Sequence, residues 1–205
     1  MKKLLTLSLV CAFAVIAATN LTSCGIMKDL NEAVTYPESY TLTYEITSAD
    51  GSITTATKTV DGNGNVYVKW QGEEKLYVLS DGSYTIYLKD GNGIFTASGE
   101  ERLTKKAVEE ATSDIKKYAE ESKKQFMPTA KKDGTGEVVG RTCDVYKIGV
   151  GTENNSAFYY YYVDVQTGIC LRLEVKHTAL GQEVDHNTET FICTQFATEN
   201  ITPLF

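Results

Sequence analysis

The chain has 205 residues, 42% apolar, 23% charged and 10% aromatic, with 16 Gly and 3 Pro. This composition excludes collagen-like, low-complexity and wholly disordered chains, and the presence of only one long apolar run argues against a polytopic membrane protein. A formal net charge of −7 disfavours nucleic acid as a partner, and the length suits one domain.

The first segment reads as a processing signal. Met1-Lys2-Lys3 is positive, and Leu4 to Ala18 is an uncharged apolar run of 15 residues, too short for a comfortable membrane span. Leu21-Thr22-Ser23-Cys24-Gly25 follows and resembles the lipobox of bacterial lipoproteins. The resemblance implies that residues 1–23 are a lipoprotein signal peptide, removed before Cys24, and that Cys24 is the site of lipid attachment. Several acyl chains on one residue make a stable membrane anchor. Cleavage takes away Lys2 and Lys3 and no acids, leaving 18 basic against 27 acidic side chains, a net charge of −9. The membrane partner is therefore expected to be met through the lipid, not through a basic face. Gly25 in place of an Asp after the Cys implies, by the same resemblance, the outer membrane. Residues 24–38 carry no strong pattern and read as a tether.

From Tyr40 a β-meander is predicted, as part of a single domain over 39–205. Asp50-Gly51, Asp61-Gly62-Asn63-Gly64, Gln71-Gly72, Asp81-Gly82 and Asp90-Gly91-Asn92-Gly93 are hairpin signals spaced 9 to 11 residues apart. The expected registers set Leu42 against Thr59 and gather one inward face. That face holds Leu42, Tyr44 and Ile46, then Thr55, Thr57 and Thr59, then Val66, Val68 and Trp70. Tyr77 and Leu79, then Tyr84, Ile86 and Leu88, then Phe95 complete it. Lys58, Lys69 and Lys89 fall on the outer face with Thr41 and Thr43.

One long helix over 99–127 is predicted next. Ser98 and Glu101 have capping-box spacing, and Leu103, Ala107, Ala111, Ile115, Ala119 and Phe126 recur at helical intervals before Pro128. A second β-block fills 137–205, with strands at Glu137–Val150, Ala157–Val165, Ile169–Leu180 and Glu183–Phe196. Phe158, Tyr160 and Tyr162 lie opposite Tyr159 and Tyr161, so this strand is expected to be covered on both faces, by the helix or by a partner. The fold class is α+β, mainly β: a curved antiparallel sheet of 10–11 strands, an incomplete barrel, with one long helix packed across it.

Strand block, helix, strand block behind a lipobox resembles the lipoprotein-carrier superfamily of LolA and LolB. Gly140-Arg141-Thr142-Cys143-Asp144-Val145-Tyr146 is similar to a G-x-x-C-x-x-Y strand of carrier-like bacterial lipoproteins. Tyr162-Val163-Asp164, Thr167-Gly168 and Leu171 are similar to their W/Y-V-D-x-x-T-G-x-x-L hairpin, and Phe196 to Phe205 to their closing strand. The resemblance implies an unclosed barrel with an apolar cavity for acyl chains. It carries over no functional residue.

Three cysteines remain in the domain. A hairpin at Gly181-Gln182 would set Cys170 against Cys193 as a candidate disulfide, with Cys143 left as a thiol; three reduced buried cysteines are the alternative. The same register would make His177 and His186 neighbours, but no third ligand is evident and no metal is expected. Asp61-x-Asn63-x-Asn65 opens like a calcium loop, yet Val66 and Gly72 stand where Gly and Glu are required, so it reads as a hairpin turn. No nucleophile motif, phosphate loop or zinc-protease motif is present. The expectation is a non-enzymatic protein without a cofactor. It would bind a lipid or acyl chain through Tyr44, Trp70, Tyr77, Tyr84, Ile86, Tyr159 and Tyr161, unless these aromatics simply fill the core. The alternative is an envelope interaction or assembly module with a fully packed core. An enzyme built on Cys143 or the histidines ranks third.

Overall fold

Short glycine-bearing turns reverse the chain about every ten residues, and in a computed structural model they build one antiparallel sheet. The structure describes residues 34–123, 130–152, 155–184 and 188–205. The first block is β1 (Tyr40–Thr47), β2 (Ile53–Val60), β3 (Val66–Trp70), β4 (Glu73–Ser80), β5 (Ser83–Lys89) and β6 (Phe95–Leu103). Helices α1 (Lys105–Ala111) and α2 (Ser113–Ala119) and a 3₁₀ turn (Glu121–Lys123) follow. The second block is β7 (Lys131–Val138), β8 (Arg141–Thr152), β9 (Asn155–Asp164), β10 (Cys170–Ala179), β11 (Gln182–Val184) and β12 (Thr190–Ala197). The strand order is β6-β5-β4-β3-β2-β1-β12-β10-β9-β8-β7, with β11 paired to β10. The β1–β12 pairing joins the two blocks, and among the described residues β6 and β7 stay apart, so the barrel is not closed.

The core fills the concave side. Tyr44 is fully buried, and its hydroxyl donates to the Cys170 carbonyl at 2.8 Å. Its ring lies 5.5 Å from Phe191 and 6.0 Å from Tyr118, and Tyr118 in turn lies 6.0 Å from Trp70. Val108, Ile115 and Ala119 bring the helices down onto this cluster.

The single helix expected over 99–127 is replaced by two short ones. β6 runs on to Leu103, which pairs with Tyr84. The cap is Thr104, whose hydroxyl accepts from the Ala107 amide, not the Ser98–Glu101 pair. Thr112 then separates α1 from α2: its hydroxyl donates to the Val108 carbonyl at 2.9 Å, a back-bond that bends helices. The part of the expectation that falls on 124–129 lies outside the described residues.

Register differs from expectation at several strand pairs. Leu42 stands opposite Lys58, not Thr59, which inverts β2: Ala56, Lys58 and Val60 face inward. Outside, Thr41 meets Thr59 at 3.1 Å and Thr43 meets Thr57 at 3.2 Å, hydroxyl to hydroxyl. A compensating slip pairs Lys58 with Val68, so β3 onward keeps its expected face. Phe95 pairs with Lys89, which puts its ring on the outer face beside Tyr67. In the second block the turn is Leu180-Gly181, with φ of 52° and 78°, a two-residue type I′ geometry. His177 therefore faces Val184, while Arg172 faces Ile192. That register misses the Cys170–Cys193 alignment by one residue, and Cys143, Cys170 and Cys193 are three buried free thiols.

The outer face of β9 is covered by its own neighbours. Tyr162 and Phe158 lie over Gly136 and Gly149, where an added Cβ would approach their rings to 2.9 and 3.1 Å. Lys147 sits 4.5 Å above Phe158, and Arg172 sits 5.0 Å above Tyr162. The C-terminal segment does not close the sheet, since β12 ends at Ala197. Instead the Leu204 amide donates to Asp61 Oδ2, and Phe205 packs 5.4 Å from Tyr87. Asp61 also accepts from the Asn63 and Asn65 amides, which makes it a turn former.

Asp164 pins the β9–β10 turn. It is almost fully buried, accepts two bonds from Arg141 at 2.8 and 2.9 Å, and takes the Thr167 amide and hydroxyl. Burial alone would raise this carboxyl, but the Arg141 and Thr167 donors outweigh it and hold it below its usual value. Removing it takes the carboxylate from the half-buried Arg141 guanidinium and the anchor from the Thr167 turn: D164A is expected to cost about 3 kcal/mol in urea unfolding at pH 7. The contribution is present above about pH 4 and is lost as pH falls through the lowered pKa. Val139, a β-branched residue at φ 47° beside Gly140, is strained in its type I′ turn. V139N is expected to stabilise by about 1 kcal/mol in the same assay.

Candidate functional site

The helices do not cover the whole concave face. Between them and β1–β3 lies a cavity of about 400 Å³. Its floor is Leu42, Lys58, Val60 and Val66, its roof Val108, Thr112, Ile115 and Ala119, and Tyr36, Tyr40 and Tyr84 form walls. Most of this lining is apolar because two adjacent strands and a narrow, Ala-bearing helix stripe meet there. A second void of about 50 Å³ lies beneath Trp70 and Tyr77. A broader hollow near Gly72 and Gly91 is open and rimmed by charged side chains.

Lys58 is the unusual member of the lining. The inverted register of β2 carries it under the helices, where its ammonium donates to the Thr112 hydroxyl at 2.9 Å. That hydroxyl already donates to the Val108 carbonyl, so the network is short and neutral apart from the lysine. Burial, aided by the like charge of Lys116, pushes the Lys58 pKa down from 10.5 to about 8, against a smaller opposing pull from Glu109. Lys116 itself lies 3.6 Å from Glu120, which also accepts from the Tyr36 hydroxyl at 3.4 Å. Burial raises Tyr36, Tyr40 and Tyr84, so these hydroxyls stay protonated and can donate.

Of the ligand candidates read from the sequence, Tyr84 lines the cavity, and Trp70 and Tyr77 line the small void beside it. Tyr44 and Tyr161 are buried in the packed core, with Ile86 and Tyr159 packed against it. Lys58 was missed because the assumed register faced it outward. The signal that finds it is the threonine pattern: Thr41 and Thr43 match Thr57 and Thr59 across the strands, which forces Lys58 to the other side.

The thiols are poorly suited to chemistry. Burial pushes Cys143 up to about 11 and Cys193 up to about 12, and Cys170 is raised further, so all are thiols at neutral pH. His177 Nε2 lies 2.7 Å from the Thr188 hydroxyl. His186 and Cys24 lie outside the described residues, and among those described no group of three residues could hold a metal.

No protein-family model matches this sequence, and no curated protein matches it significantly. Among solved structures it is similar to MucB in complex with MucA(peri), at 20% identity and a TM-score of 0.39, over 85% of this chain and 54% of that one. It thus spans about half the length of the MucB chain. It is also similar to the LolA superfamily protein NE2245 from Nitrosomonas europaea, at 9% identity and a TM-score of 0.26, over 86% and 93% of the two chains. A DUF1329 family protein from Desulfovibrio piger matches at 8% identity and a TM-score of 0.24, over 89% and 92%. At such TM-scores the likeness is loose, and the open-sheet architecture stands on the strand order and registers described above.

Lys58 binds a proton less readily folded than unfolded. Stability is therefore expected to rise with pH between about 8 and 10.5, where the unfolded chain holds the proton and the folded one does not. K58M is expected to be more stable than the parent by about 1–2 kcal/mol at pH 7, with the difference shrinking by pH 9.5. Thermal melts of both proteins at the two pH values check this.

Proposed function

We propose that this protein is a lipid-anchored, non-catalytic component of the cell envelope that holds a hydrophobic chain in the cavity between α1, α2 and the concave sheet. The observation that carries this reading is the cavity of about 400 Å³, walled mainly by apolar side chains. Its volume falls within the range of small-molecule sites, about 300–1,000 Å³. Each methylene moved from water into such walls contributes about 0.8 kcal/mol, so a medium-length chain supplies enough driving force. The lipobox-like segment supports attachment through Cys24, and Gly25 after it favours the outer membrane. The rival reading, an interaction module with a fully packed core, is weakened by the same cavity.

The test is native mass spectrometry of residues 25–205, exported behind a cleavable signal and purified without detergent. The expected outcome is a population carrying excess mass that organic solvent releases as a lipid. V60W, which fills the floor of the cavity, is expected to cut that population at least tenfold while leaving the melting profile cooperative. A clean apo mass, with no uptake of an offered lipid, sinks the reading.

A further inference from the structure

The cavity is mainly apolar, with the half-buried Lys58 ammonium beneath the helices, and that asymmetry specifies more than hydrophobicity. We infer that the ligand is a single-chain carboxylate, whose acyl chain occupies the cavity and whose carboxylate meets the Lys58 ammonium. This rests on the reading of the cavity as a binding site and deepens it.

Three observations carry the inference. The Lys58 ammonium has three N–H donors, and one is spent on the Thr112 hydroxyl at 2.9 Å. Among the described residues no carboxylate lies within ion-pair distance, so two donors remain for an incoming pair of oxygens. Charges withdrawn from water favour pairing, and a half-buried lysine whose one protein partner is a hydroxyl can take an anion. Second, the surroundings set the charge of the partner. Glu38 and Glu109 also line the cavity, and Lys116 is engaged by Glu120. Lys58 and the cavity-lining Lys105 stand against these two carboxylates, so a monoanion perturbs the balanced lining less than a phosphate dianion would. Third, about 400 Å³ between Leu42, Val60, Val66 and the helix side chains Val108 and Ile115 is room for one chain, not for the two or three of a phospholipid or lipoprotein. The protonated hydroxyl of Tyr40 at the wall adds a neutral donor for a carboxylate oxygen.

The experiment is photo-crosslinking of the full chain in its native envelope. The probes are dodecanoate with a diazirine at the chain end and the matching dodecanol with the same group. Adducts are mapped by peptide mass spectrometry in the parent, K58M and K58R, each first checked for a cooperative melt. The expected result is carboxylate labelling on cavity peptides, competed by unlabelled dodecanoate. It should fall at least tenfold in K58M and be largely kept in K58R, with dodecanol labelling changed less than twofold. Equal labelling by both probes, insensitive to K58M, overturns the carboxylate assignment and leaves the hydrophobic cavity standing. Absence of cavity labelling by either probe overturns both.

Discussion

The pairing of β1 with β2 is the constraint on which the rest depends. Thr41 against Thr59 and Thr43 against Thr57 hold the two strands in one register by hydroxyl contacts on the solvent side. Because successive side chains alternate, that register turns Leu42, Tyr44 and Ile46 of β1 inward together with Ala56, Lys58 and Val60 of β2. Ala56, fully buried opposite Tyr44, leaves space for the large ring. One residue of slip would set a row of threonines in the core and send the lysine to solvent.

The same strand explains why part of the concave face is solid and part hollow. On its other edge β1 pairs with β12, and a bulge between Thr43 and Tyr44 brings Tyr44 opposite Cys193. There Tyr44, Tyr118, Phe191 and Trp70 close over each other, and the Tyr44 hydroxyl finds a carbonyl partner. Toward Tyr40 the roof is only α1 and α2, broken at Thr112 and carrying Val108 and Ala119 where longer side chains would be needed to reach the sheet. The cavity is what remains between a full-width floor and a narrow roof.

The fold is legible in the sequence where a local rule determines the outcome. Turn chemistry located the hairpins, and alternation placed the inner faces of β1, β3, β4 and β5, because a glycine-bearing turn and a period of two need no knowledge of the partner strand. The fold is not legible where the outcome is decided across strands. The inversion of β2 came from assigning a loop geometry without matching Thr41 and Thr43 to their counterparts. The Cys170–Cys193 alignment failed because one register was assumed for the whole hairpin, whereas β10 pairs with β11 in one register and with β12 in another, Arg172 standing opposite Ile192. The single helix failed because a capping-box spacing at Ser98 competes with strand pairing to β5, and pairing prevails through Leu103. Of the site, Tyr84 was legible as an inward aromatic, while Lys58 becomes legible only once Thr41 and Thr43 are matched across the strands to Thr59 and Thr57.

Lys58 also illustrates how stability and function pull apart. A chain selected only to stay folded would place an apolar residue opposite Leu42, since an ammonium under two helices is desolvated and repelled by Lys116. The lysine buys no ion pair within the described fold; its one partner, Thr112, is already satisfied by Val108. Groups held at such a cost belong where a charge is needed for something besides the fold. An anionic ligand removes the cost: the desolvation is already met before binding, so the carboxylate gains a low-dielectric ion pair while only its own hydration is lost. A neutral amphiphile would leave the ammonium as poorly paired as before. The hydrophobic walls would then supply affinity through length, and Lys58 would select the head.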